Sequence, residues 1–218
     1  MNNILDWKSS EGLLSSWSLP FIPTISANGP DEAAKAAQDI GFPVALKAIS
    51  PLMTHKSDHG LVHLNLAGAN EVRNTCRKMA GIEGLETFLV QKMADRGLEM
   101  IAGIIRDPLF GPVVLFGPGG ILVDLLDDSR MLRPPFREID VRTCLREMKS
   151  HPLLNGYRGG KPLDIQALVG TLMRLGELAL SLPKHIGSVD FNPVIVHDKG
   201  LSMVDLRISV TDGGAENE

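Results

Sequence analysis

The chain has 218 residues, of which 44% are hydrophobic and 22% charged, and a formal net charge of -4 at neutral pH. That length can bury a substantial core as one large domain or two lobes, and the slightly acidic balance carries no electrostatic footprint for nucleic acid. Cys76 and Cys144 are far apart and form no CxxC arrangement, which points to a reducing compartment, by default the cytoplasm. No stretch approaches the roughly 18 apolar residues of a membrane span. Asp6, Lys8 and Glu11 interrupt the apolar run that a signal peptide would need.

Residues 1–18 read as a leading segment, and 19–25 alternates prolines with apolar residues as an extended lead-in strand. Pro30, followed by Asp31 and Glu32, opens an alanine-rich helix through Ile40. Its acidic residues lie in the first turn, where the helix dipole favours them, and Gly41 ends it. Residues 42–49 are a short β-type run containing Lys47, and 60–66 is another. With a helix over 70–79 they make a small α/β lobe. Strands are expected over 86–93, ending in Val90-Gln91-Lys92-Met93, and over 99–106. Residues 112–116 and 121–126 then read as a hairpin around Gly117-Pro118-Gly119-Gly120. Asp140 is expected to cap a helix to Lys149, and Pro162 to start a longer one. In the latter, Ile165, Leu168, Val169, Leu172, Gly176 and Ala179 form a stripe that packs on a sheet. Two last β runs, 189–196 and 201–208, flank the turn His197-Asp198-Lys199-Gly200, and the polar tail 211–218 is expected to fray. The pattern predicts an α+β chain of mostly antiparallel sheets flanked by helices, with a small lobe over 19–90, a large lobe over 91–210 and a hinge near 90–98.

The last hairpin is the strongest candidate for chemistry. A turn centred on Asp198 and Lys199 sets Asn192 opposite Asp205 and Asp190 opposite Arg207. Cross-strand neighbours lie about 5 Å apart, so an amide oxygen and a carboxylate can share one hard cation such as magnesium. The same spacing fits a solvated hairpin with an Asp190–Arg207 ion pair. Residues 50–60 are dense in polar groups between two apolar runs and read as an exposed loop. There a neutral His55 can attack phosphorus, with Lys56 offsetting charge and Ser57 or Asp58 fixing the tautomer. A plain surface turn accounts for the same residues. Lys47, mid-strand, either snorkels to an edge or faces a phosphate. Gly117, Gly119 and Gly120 can line phosphates or simply serve a turn. Asp124, Asp127 and Asp128 are metal ligands or surface charge, and Glu99 is equally ambiguous. The six histidines show no HExxH spacing, and there is no GxSxG, so zinc and serine-hydrolase chemistry find no support.

Several stretches together carry a family resemblance. They are Gly41-Phe42-Pro43-Val44-Ala45-Leu46-Lys47, Ser50-Pro51 with His55-Lys56-Ser57-Asp58, Asp107-Pro108 with Phe110-Gly111-Pro112-Val113-Val114, Gly117 with Gly119-Gly120, Gly156-Tyr157-Arg158-Gly159, and Asp190-Phe191-Asn192-Pro193-Val194 with Asp205-Leu206-Arg207-Ile208. Over residues 11–208 the chain resembles the ATP-grasp domain, or separate β subunit, of ADP-forming acyl-CoA synthetases (acetate-CoA ligases), relatives of succinyl-CoA synthetase. The resemblance implies a two-lobed ATP-grasp fold, ATP or ADP with Mg2+ as cofactors, and phosphoryl transfer through phosphohistidine. His55 would be the phosphohistidine and Lys47 a nucleotide-phosphate ligand. Val90, Gln91, Lys92 and Met93 would form the adenine-binding hinge, with Glu99 a ribose or phosphate-side contact. Asn192 and Asp205 would hold magnesium. It also implies a CoA-binding α-type partner subunit, hence a hetero-oligomer, with Trp7, Trp17 and Phe136 as interface anchors or core residues.

Three positions depart from the family pattern. Leu61 replaces a glycine of the phosphate-facing loop, Lys92 stands where an acidic residue is common, and Ser188 where a glutamate often occurs. The Leu61 and Lys92 departures favour a second reading, a non-catalytic nucleotide-sensing module. A third is a self-sufficient carboxylate ligase, in which His55 would be idle.

Overall fold

The computed structural model describes residues 3–50 and 60–211. In chain order the strands are β1 (Asn3–Ile4), β2 (Thr24–Ala27), β3 (Val44–Ile49), β4 (Val62–Leu66), β5 (Thr87–Lys92), β6 (Leu98–Asp107), β7 (Gly111–Pro118), β8 (Arg130–Leu132), β9 (Ile186–Val196), β10 (Leu201–Met203) and β11 (Arg207–Val210). The helices are α1 (Trp7–Leu14), α2 (Pro30–Ile40), α3 (Ala69–Met79), α4 (Leu122–Leu126), α5 (Glu138–Glu147), α6 (His151–Leu154) and α7 (Ile165–Ser181). The chain divides into two units, Phe21–Ala94 and a larger one of Met1–Pro20 with Asp95–Glu218. The leading segment, drawn from sequence as separate, therefore groups with the larger unit. β1 pairs with β11, and the Leu5 N–H donates to the Ile208 carbonyl at 3.0 Å.

In the smaller unit four antiparallel strands run in the order β2-β5-β3-β4. Alternation sends Val44, Leu46 and Ala48 of β3, with Phe88 and Val90 of β5, to one face. There they meet Ala33, Ala36 and Ala37 of α2 and Val72, Cys76 and Met79 of α3. α2 starts as the sequence implies: Pro30 lies in its first turn, and Glu32 accepts the Asn28 N–H at 2.8 Å. An Arg73–Asp31 bridge of 2.8 Å links α3 to α2. The opposite face of the sheet carries Thr24, Ala45, Lys47 and Gln91, placed by the registers Thr24↔Gln91, Ala45↔Gln91 and Lys47↔Leu89.

The larger unit is built on a seven-stranded antiparallel sheet in the order β1-β11-β9-β6-β7-β8, with β10 also paired to β9. Met100, Ala102, Ile104, Val114, Phe116, Val189, Phe191 and Val194 are buried, and α7 packs against β6 and β7. The predicted stripe on α7 is largely buried, and the Phe136 ring lies against Gly176. α7 begins at Ile165 rather than Pro162, because Asp164 is the capping residue and accepts the Ala167 N–H at 2.9 Å. Its other oxygen accepts the Gly200 N–H at 2.8 Å, which ties the helix start to the β9–β10 turn. α5 begins at Glu138, and Asp140 sits inside its first turn, accepting the Arg137 N–H at 2.9 Å in a capping box.

The expected hairpin at 112–126 is not formed. β7 continues through Gly117 and Pro118 along β6, with Ile101↔Gly117 and Met100↔Pro118 as partners, and residues 122–126 coil into α4. The glycines serve close packing. A Cβ on Gly117 would stand 3.0 Å from the Ser129 Cα, and one on Gly119 would stand 3.0 Å from backbone carbons of Glu99 and Met100. The turn between β6 and β7 lies earlier, where Asp107 accepts the N–H groups of Leu109 and Phe110 at 2.8 and 2.9 Å. Among the described residues no helix is long and apolar enough to cross a membrane.

Candidate functional site

The β9–β10–β11 segment keeps the register read from the sequence on both sides of the presumed site. Met203 pairs with Val194, and Arg207 pairs with Asp190. Between these ladders the pairing is interrupted: β10 ends at Met203 and β11 begins at Arg207, leaving Asp205 in the gap. On the other side, Ala102 pairs with Phe191 and Met100 with Val194, so Asn192 and Pro193 stand against the single residue Ile101. That irregularity is a bulge, a device that re-aims side chains. The Val204 N–H donates to the Pro193 carbonyl at 3.1 Å, closing the gap beside both candidate ligands.

Asp190 lies one alternation away, in a groove of about 390 Å³ lined by Ile4, Gly103, Leu115, Ser188 and Arg207 among others. Desolvation in that groove pushes its carboxyl above the usual carboxylate range; Arg207 pulls it down and Asp205 pushes it further up. The Asp190 and Asp205 carboxylates and the Asn192 amide are hard oxygen donors, the kind Mg2+ takes when substrate phosphates and water complete its shell. Among the described residues no group of three His, Cys, Asp or Glu side chains forms a metal cluster, so a cation here would use Asn192 and exogenous oxygens. The Ser188 and Ser209 hydroxyls bond to each other at 2.6 Å across the β9–β11 pair.

Glu99 is exposed on β6, opposite Ile195. Its carbonyl accepts the Gly119 N–H at 2.8 Å, and its carboxylate lies over Gly120, where an added Cβ would meet Oε2 at 2.6 Å. The sequence reading missed this contact because it folded the glycines into a hairpin turn. Leucine-rich Leu122-Val123-Asp124-Leu125-Leu126, poor in β-branched residues, was the available signal for a helix after the glycines.

In the smaller unit Lys47 is buried at the centre of the sheet, 4% exposed. It points away from the helices, as its pairing with Leu89 requires. The hinge residues separate by alternation. Val90 packs into the helix-side core, whereas Gln91 is buried on the other face and donates to the Thr24 hydroxyl at 2.9 Å. Lys92 is exposed; its N–H donates to the Pro23 carbonyl at 3.0 Å, and that of Met93 to the Pro43 carbonyl at 3.4 Å. Leu61, the departure that raised doubt about the phosphate loop, is fully buried in the helix-side core. Its bulk is absorbed there. His55 and its loop lie outside the described residues, as does most of the tail.

Asp128, left open by the sequence as ligand or surface charge, is structural. It is buried and accepts the Lys149 N–H together with the N–H and hydroxyl of Ser150. Asp164, unremarked in the sequence, is likewise a structural tie between α7 and the β9–β10 turn.

A family model described as ATP-grasp domain matches residues 1–210. The chain is 36% identical over 206 residues to the β subunit of ADP-forming acetate-CoA ligase I of Pyrococcus furiosus, aligning 90% of this chain and 87% of that one. It is 39% identical over 208 residues to the ADP-forming acetate-CoA ligase I of Archaeoglobus fulgidus, aligning 91% of this chain but only 30% of that longer one. A solved structure from Ca. Korarchaeum cryptofilum superposes with a TM-score of 0.84 at 38% identity, covering 96% of this chain and 93% of that one. It is a dinucleotide-forming acetyl-coenzyme A synthetase 1 in complex with coenzyme A and Mg-AMPPCP, its phosphohistidine segment pointing towards the nucleotide binding site.

Proposed function

The chain belongs to the ATP-grasp domain family, and on that premise we propose that it is the nucleotide-binding, phosphoryl-transferring part of an ADP-forming acyl-CoA synthetase. The overall reaction converts acid, CoA and ATP to acyl-CoA, ADP and phosphate. The observation that carries this reading is the interrupted ladder that leaves Asp205 and the bulged Asn192 beside one bond, Val204 N–H to Pro193 carbonyl, with Asp190 on the same strand as Asn192, β9.

In this account the adenine lies along the Val90 to Met93 segment, whose Lys92 and Met93 N–H groups are held by the Pro23 and Pro43 carbonyls, and Glu99, an acceptor-only carboxylate, holds nucleotide hydroxyls. Lys47 supplies a positive charge to the phosphates from the sheet face opposite the helices. Asn192 and Asp205 would hold Mg2+, and the ion would supply charge neutralisation for the phosphates. A neutral ring nitrogen of His55 attacks the γ-phosphorus, the bond to the ADP oxygen breaks and ADP leaves, and the ring then carries the phosphoryl group. Phosphoryl transfer demands positioning and charge stabilisation more than covalent help, and these residue types supply both. The CoA-binding α-type part comes from a partner subunit in a hetero-oligomer or from further polypeptide, since relatives of both kinds exist. The cytoplasm suits the two free cysteines. Of the two departures behind the nucleotide-sensing alternative, Leu61 sits in the core, whereas Lys92 is exposed.

Incubation with Mg2+ and γ-phosphate-labelled ATP tests the reading. We expect an acid-labile, base-stable label that is absent from His55→Ala; an equal label on that variant, or none on the wild type, contradicts it.

A further inference from the structure

The glycines after β7 have no role in the chemistry above, yet they touch one of its residues. Gly119 donates its N–H to the Glu99 carbonyl at 2.8 Å. A Cβ at position 119 would press on the Glu99 and Met100 backbone at 3.0 Å, so the close approach of the two strands requires glycine there. Gly120 differs in kind. Its φ of +55 turns the chain into the short helix that follows, and the space where its Cβ would stand is taken by Glu99 Oε2, 2.6 Å away. A carboxylate on an exposed strand position ordinarily samples several rotamers. This one lies in a notch that exists only because residue 120 has no side chain.

We propose that Gly120 is a positioning residue for Glu99, and that the glycine pair fixes the direction of that carboxylate for nucleotide binding. The inference rests on the reading of Glu99 as a nucleotide contact. It goes further by assigning a role to a motif that a phosphate-loop or simple-turn reading leaves unexplained.

The chemistry makes the test clean. In Gly120→Ala the new methyl meets the far end of a flexible side chain, which can swing away, so the carboxylate moves while β6 and β7 stay. The positive-φ strain of alanine is matched by a control at the start of β7, Gly111→Ala, where φ is +75 and a Cβ would meet nothing within 4 Å. Calorimetric titration of the full chain with Mg-ADP should show affinity lowered roughly tenfold in Gly120→Ala and in Glu99→Ala, the loss expected for one charge-assisted hydrogen bond. The double variant should be no weaker than Glu99→Ala alone, and Gly111→Ala should match the wild type. Crystal structures of wild type and Gly120→Ala should show the Glu99 carboxylate displaced and the strands unmoved. Wild-type affinity in Gly120→Ala, additive losses in the double variant, or an unmoved carboxylate overturns the positioning role. Unchanged affinity in Glu99→Ala, or a wild-type chain that does not bind Mg-ADP, overturns the nucleotide reading and this inference with it.

Discussion

Asp128 and Ser150 form a buried clasp: one carboxylate oxygen accepts both the N–H and the hydroxyl of Ser150, each at 2.8 Å. The other oxygen accepts the Lys149 N–H at 3.0 Å, and Arg130 approaches it at 3.4 Å. The clasp ties the segment after α4 to the junction between α5 and α6. Asp128 lies just before β8, the strand that borders β7.

Burial pushes the Asp128 carboxyl up, but the three hydrogen bonds and Arg130 outweigh it and leave the group below the usual carboxylate range. A depressed folded value means stability that is present above the unfolded pKa of about 3.9 and is lost as pH falls through the folded value. Asp128→Ala should therefore cost about 2–4 kcal/mol at neutral pH, with the gap to wild type narrowing in acid. Urea denaturation of both proteins at pH 7 and near pH 3 checks it; a pH-independent gap would count against the clasp.

Gly103 lies at the middle of β6, paired with Leu115 on one side and Asp190 on the other. A Cβ there would stand 2.8 Å from the Val189 carbonyl, a backbone atom that cannot swing aside. Gly103→Ala should force β6 and β9 apart and cost about 1–3 kcal/mol. The same variant should weaken Mg2+-dependent nucleotide binding, because Asn192 follows closely on the strand that must move. Chemical denaturation beside calorimetry reads both effects, and a neutral result in each would show that the sheet does not set the site.

Lys47→Ala should lower affinity for ADP by at least roughly tenfold, the loss expected when a charge-assisted bond to phosphate is removed. The Mg2+ dependence should persist, since the proposed magnesium ligands are Asn192 and Asp205 rather than Lys47. Titration in magnesium and in EDTA separates these effects. Unchanged affinity would mean that the buried lysine serves the sheet alone.

The sequence was most legible where one physical rule governed the outcome. Period-two alternation and a four-residue turn set the register that pairs Arg207 with Asp190, and proline with two acids marked the start of α2. It was least legible at Gly117-Pro118-Gly119-Gly120, because glycine permits both a turn and a close backbone approach, and only the partner strand decides between them. Asp128 and Asp164 could not be told from surface acids, since the partners through which they tie separate elements together lie 21 to 36 residues away in the chain. Leu61 was misjudged for the same reason: its surroundings come from two helices and a neighbouring strand. The bulge at Asn192 was also hidden, because it exists only relative to Ile101 on β6.

The most direct measurement is calorimetric titration of the purified chain with ADP and with ATP, in Mg2+ and in EDTA, for the wild type and Asp205→Ala. The account predicts magnesium-dependent binding that Asp205→Ala abolishes or weakens to the level seen in EDTA. Binding that ignores both magnesium and the mutation, or no binding to the wild type at all, would contradict it.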